Sequence, residues 1–93
     1  MTLKYDFSIQ EVADKFIAIA KNRETGTVEQ VFNLNGTGAL LLKALQDGLS
    51  VPAIVDLLTS EYDIQPANAQ KEVRAFMDML IRNGLLRHDN NAR

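Results

Sequence analysis

The hydrophobic pattern of this chain changes period at Leu34-Asn35-Gly36-Thr37-Gly38, and that change restricts the fold more than any other feature. Before it, apolar and polar residues alternate, the pattern of a half-buried strand. After it, leucines recur at helical spacing. Phe7-Ser8-Ile9-Gln10 is the first alternating segment. Ala13-Asp14 supplies a short turn, and KFIAIA, residues 15–20, a second strand rich in apolar and β-branched residues. The polar loop KNRETGT, residues 21–27, leads into a third strand, Val28 to Leu34 (VEQVFNL). Strands this close in sequence pair with their neighbours, so an antiparallel meander is expected.

The remainder reads as three helices. Leu40, Leu41, Leu42, Ala44 and Leu45 form an apolar stripe that stops at Asp47-Gly48. Ser50 is placed to cap a second helix, with Pro52 in its first turn and Ile54, Val55, Leu57 and Leu58 on its buried face. A third helix is predicted from Pro66 to Arg82, burying Ala69, Val73, Phe76, Met77, Leu80 and Ile81, and Asn83-Gly84 closes it. Leu85-Leu86 packs or continues extended, and the last residues, RHDNNAR, read as a frayed polar tail. The predicted class is α+β: a three-stranded antiparallel sheet followed by three helices, in one winged-helix-like domain. A disordered tail is expected at 87–93.

Glycine-rich turns that open a helix can cradle phosphate. This one lacks the pattern for it. A dinucleotide fingerprint needs a third glycine where Leu41 stands, and Asp56, at the ribose-binding spacing, falls inside a helix. No Gly-Lys-Ser/Thr follows, which excludes a phosphate loop of that type. The turn is a helix entry, with Asn35 or Thr37 as the cap and Leu34 packed before it.

Function classes narrow further from the side chains present. The 93 residues carry 10 basic and 12 acidic groups, a net charge of −2, and no cysteine. That removes disulfides and thiolate sites, and no broad positive field exists for nucleic acid or an anionic membrane. His88 is alone, in the polar tail, so neither a metal site nor an activated serine nucleophile is expected. The carboxylates are scattered as on a solvated surface. No signal sequence or membrane span is read, so the expectation is a soluble, cytoplasmic, non-enzymatic protein without cofactor. A winged-helix DNA-binding regulator is the alternative, but the third helix mixes Lys71, Arg74 and Arg82 with Glu72 and Asp78 instead of showing a basic stripe. What a small meander does offer is an open strand edge, able to pair with a peptide.

The order of short motifs carries a resemblance. A strand ending in Leu34-Asn35 is followed by a small-residue helix start, Thr37-Gly38-Ala39. A leucine-rich helix then closes on Asp47-Gly48. Next comes a short helix ending near Glu61-Tyr62, and a long helix ending in Gly84-Leu85-Leu86. This resembles the PqqD family, also called the RiPP recognition element. The resemblance covers residues 5–86 as a single PqqD-like domain and implies a winged-helix-like fold that binds the leader of a ribosomally made precursor peptide. It also implies presentation of that leader to a modifying enzyme, often a radical SAM protein, as in pyrroloquinoline quinone synthesis. The leader would add to the third strand, at Val28, Glu29, Gln30, Val31, Phe32 and Asn33, and lie against the third helix. There the implied contacts are Gln70, Arg74, Met77 and Ile81, with Arg74 paired to an acidic leader residue. Phe32 and Leu34 are expected to face the core, and Glu29, Val31 and Asn33 to face away.

Overall fold

A computed structural model describes residues 2–87. The element order is β1 (Thr2–Leu3), β2 (Asp6–Val12), β3 (Lys15–Lys21), β4 (Val28–Leu34), α1 (Gly36–Gln46), α2 (Val51–Glu61), α3 (Pro66–Arg82) and β5 (Leu86–Arg87). The predicted third strand is therefore β4. The three long strands form an antiparallel sheet in the order β2-β3-β4, and three helices follow it. This is the architecture expected from the change of hydrophobic period.

The sequence reading missed a second, two-stranded sheet. Thr2 pairs with Arg87 and Leu3 with Leu86, and the Lys4 N–H donates to the Leu85 carbonyl at 3.0 Å. Leu3, Leu85 and Leu86 are buried, so this clasp seats the first and last described strands on the core. Arg87, read as the first tail residue, pairs in β5. His88 and the rest of the tail lie outside the described residues.

Local chemistry explains the helix starts. The Asn35 side chain accepts from the Gly38 N–H at 2.7 Å, so Asn35 and not Thr37 caps α1. Ser50 caps α2 through the Ala53 N–H at 3.3 Å. Both satisfy amides that a helix start leaves without partners.

One face of the sheet holds Phe7, Ala18, Ala20, Phe32 and Leu34, all packed in or against the core, and α1 lies beneath it through Leu41, Leu42 and Ala44. α2 adds Ile54, Val55 and Leu58, and α3 adds Ala69, Val73, Phe76, Met77 and Leu80. Ile81 is only partly buried. Among the described residues no helix is long and apolar enough to cross a membrane.

The β2–β3 hairpin turns at Ala13-Asp14, between the paired residues Val12 and Lys15. Ala13 holds φ at 60°, a left-handed conformation that costs a residue with a Cβ about 1–2 kcal/mol. Glycine removes that cost but loses more entropy on folding. Ala13→Gly should therefore raise stability by up to about 1 kcal/mol, read as a shifted denaturant midpoint at constant slope.

Candidate functional site

An open three-stranded sheet has two edges, and in this molecule they differ. At the β2 edge, the Phe7 N–H donates to Gln46 Oε1 at 2.7 Å, and Gln46 Nε2 donates to the Phe7 carbonyl at 2.6 Å. The carboxamide at the end of α1 thus completes the strand edge as a peptide group would. Nearby, Arg23 donates to the Leu3 carbonyl at 3.0 Å, at the approach to β2. Among the described residues, no strand pairs with the β4 edge.

The Gln46 contact also fixes which β4 amides face outward. Phe7 directs both its polar backbone groups away from β3, so Phe7 and Ala20 form a pair without mutual hydrogen bonds. Ala20 must then turn its own groups toward β4, where its partner is Gln30. Antiparallel pairs alternate between bonded and non-bonded. Phe32 and Leu34 therefore bond to β3, while Val31 and Asn33 present N–H and C=O to the free edge. Glu29 falls at a bulge, because Val28 pairs with Lys21 and Gln30 with Ala20.

Side chains follow the same alternation. Phe32 and Leu34 are partly buried, and Glu29, Val31 and Asn33 are exposed. Val31 is 60% exposed and lies beside Ile19 on the sheet face away from the helices. Gln30 points to the helix side, and its Nε2 donates to the Asn83 carbonyl at 3.2 Å.

That contact ties one end of β4 to the end of α3. At the other end, Gly38 lies close to the Phe76 ring; a Cβ there would sit 3.4 Å from Phe76 Cε1. The order of these two contacts means that α3 runs antiparallel to the path from β4 into α1. From Glu72 to Asn83 the helix rises about 16 Å, and from Gln30 to Asn35 an extended chain covers about the same. Where β4 gives way to α1, a cleft of about 240 Å³ lies between the first turns of α1 and α3, lined by Asn35, Thr37, Gly38, Leu41, Glu72, Ala75, Phe76 and Met79.

Gln70, Arg74 and Met77 line a larger groove of about 540 Å³ between α2 and α3, with Val51, Pro52, Val55, Asp56 and Val73. Met77 is buried in its floor, and Ile81 packs against the core outside the lining. The structure thus brings Val28–Asn33 together along one edge but seats the Gln70–Arg74–Met77 stripe on the α2 side of α3. The α3 residues facing the β4–α1 junction were legible as another stripe, Glu72, Ala75, Phe76 and Met79, at i, i+3, i+4 and i+7. Both stripes flank the same buried face, and periodicity alone does not rank them. Gln46 carried no sequence signal, because its partner is 39 residues away. Among the described residues, no three His, Cys, Asp or Glu side chains come together as metal ligands.

No curated protein matches the chain significantly. Two solved structures share its fold. TbiB1 in complex with the TbiA(beta) leader peptide superposes with a TM-score of 0.74 at 21% identity, covering 97% of this chain and 99% of that one. A lasso peptide synthetase B1 complexed with the leader peptide gives 0.70 at 26% identity, covering 92% and 95%. The family model for coenzyme PQQ synthesis protein D matches residues 9–86, and the chain belongs to the PqqD family of RiPP recognition elements.

Proposed function

We propose that this domain is a non-catalytic peptide-binding chaperone. It holds the leader of a ribosomally made precursor peptide by strand addition to β4 and presents it to a modifying enzyme in the cytoplasm. The observation that carries this reading is the inequality of the two edges. Gln46 occupies β2 at Phe7, whereas β4 offers the backbone groups of Val31 and Asn33 on a strand that leads to the α1–α3 cleft at Asn35. Ladder hydrogen bonds supply affinity in this mode, and the flanking side chains supply specificity. The likeness to a leader-bound lasso peptide synthetase B1 supports the reading.

The partner enzyme is proposed to be of the radical SAM type, in a PQQ-like pathway, as the family match suggests. The likeness to the lasso synthetase favours a second reading, in which the enzyme acts in lasso peptide maturation.

A ¹⁵N–¹H titration tests the function. A leader peptide encoded by a small neighbouring reading frame is added first, and a random DNA duplex separately. Peptide should protect the Val31 and Asn33 amides from exchange and leave β2 unchanged, while DNA should shift nothing. Shifts with DNA alone, falling steeply with salt, would return the domain to the winged-helix regulators.

A further inference from the structure

Among the described residues, the cleft at the β4–α1 junction has one charged residue in its wall, and it is acidic. Glu72 lies near the end where Asn35 and Thr37 begin α1. Its neighbours three and four residues away on α3 are Asn68, Ala69, Ala75 and Phe76, all uncharged. No intrahelical pair of the usual kind therefore occupies its carboxylate. The ion pair found among the described residues, Lys43 with Asp47 at 3.6 Å, is elsewhere. Arg82, farther along the helix, is about 15 Å away by helical rise, beyond the screening length at physiological salt. Arg74 faces the α2 groove.

We infer that Glu72 selects leader peptides bearing a lysine or arginine, an inference that rests on strand addition to β4. A strand added there alternates its side chains between the outer face, beside Val31, and the helix side. The one at the Asn35 end of the helix side meets Glu72. The next helix-side residue lies two positions away, about 6.6 Å along the strand. Glu72 and Phe76 are four residues apart, about 6 Å along the helix. The spacings match, so the peptide carries a cation two positions from an apolar residue. The apolar residue packs over Phe76 and Met79, beside Ala75. The sign is opposite to the one implied by placing Arg74 beside the leader.

A random-peptide display library tests this when panned separately on the wild-type domain and on Glu72→Lys. Glu72 is exposed, and lysine is as good a helix former as glutamate, so the variant should fold. Wild type should enrich Lys or Arg two positions from an apolar residue, and Glu72→Lys should enrich Asp or Glu there. For the best basic peptide, Glu72→Lys should weaken binding about fivefold. Glu72→Gln should weaken it less, and Arg74→Glu not at all. The peptide with its cation changed to glutamate should regain affinity for Glu72→Lys. If selected peptides shift β4 amides but tolerate the charge change in wild type, the Glu72 assignment is overturned and strand addition stands. If selected peptides leave β4 amides unshifted, both fall.

Discussion

Val31→Pro should give a folded domain whose affinity for its leader peptide is lower by about tenfold or more. Proline lacks the amide proton, and in a sheet it is tolerated where that proton faces away from the ladder. The Gln46–Phe7 contact places Val31 in such a position: its N–H points to the free edge, and no bond to β3 is lost. A bound peptide strand would lose one donor and leave its own carbonyl facing the proline ring. An unmade hydrogen bond at a partly buried site costs about 1–3 kcal/mol, which sets the size of the effect. Phe32→Pro is the contrast. Its N–H points toward β3, so that variant should lose the fold along with binding. Circular dichroism separates the two cases, and fluorescence anisotropy with a labelled peptide reads the affinity. A folded Val31→Pro domain with wild-type affinity would take the Val31 amide out of the interface and sink this register.

The sheet and helices were legible because each segment shows its own period. KFIAIA, VEQVFNL and the leucines after Gly38 decide their own structure locally. Caps were legible for the same reason, since Asn35 and Ser50 act on amides three residues away. The β1–β5 clasp was not. Two residues at each end show no period, and their pairing is set by the burial of Leu3 and Leu86 on a core made by other elements. The open edge was legible as a class of site, since any three-stranded meander has two. Which edge stays open depends on Gln46, and which flank of α3 lies beside β4 depends on packing. Both α3 stripes border the buried face of Val73, Phe76 and Leu80. Only contacts distant in sequence, Gln30 with Asn83 and Gly38 with Phe76, show that Glu72 and Met79 face the β4–α1 junction.

If edge asymmetry selects the peptide site, removing the guard of the other edge has a defined outcome. Gln46→Ala should cost about 1–2 kcal/mol of stability, because the Phe7 N–H and C=O lose both partners at once. Gln46 is exposed, so water replaces part of what is lost and holds the cost to that range. For a domain of this size the melting temperature should fall by roughly 4–8 °C for each kcal/mol. A second effect distinguishes an edge guard from an ordinary surface contact. With Phe7 uncovered, β2 becomes a pairing template, and the variant should self-associate as its concentration rises. Sedimentation velocity on wild type and Gln46→Ala at matched concentrations reads this directly. Gln46→Glu separates donor from acceptor. It keeps an acceptor for the Phe7 N–H but sets a carboxylate against the Phe7 carbonyl, so it should destabilise while its charge opposes self-association. Peptide affinity at β4 should be unchanged in monomeric Gln46→Ala, since neither Val31 nor the α3 cleft touches Gln46. A variant that stays monomeric at every concentration would show that Gln46 stabilises β2 without guarding it. The choice of β4 would then rest on the cleft beside α3 alone.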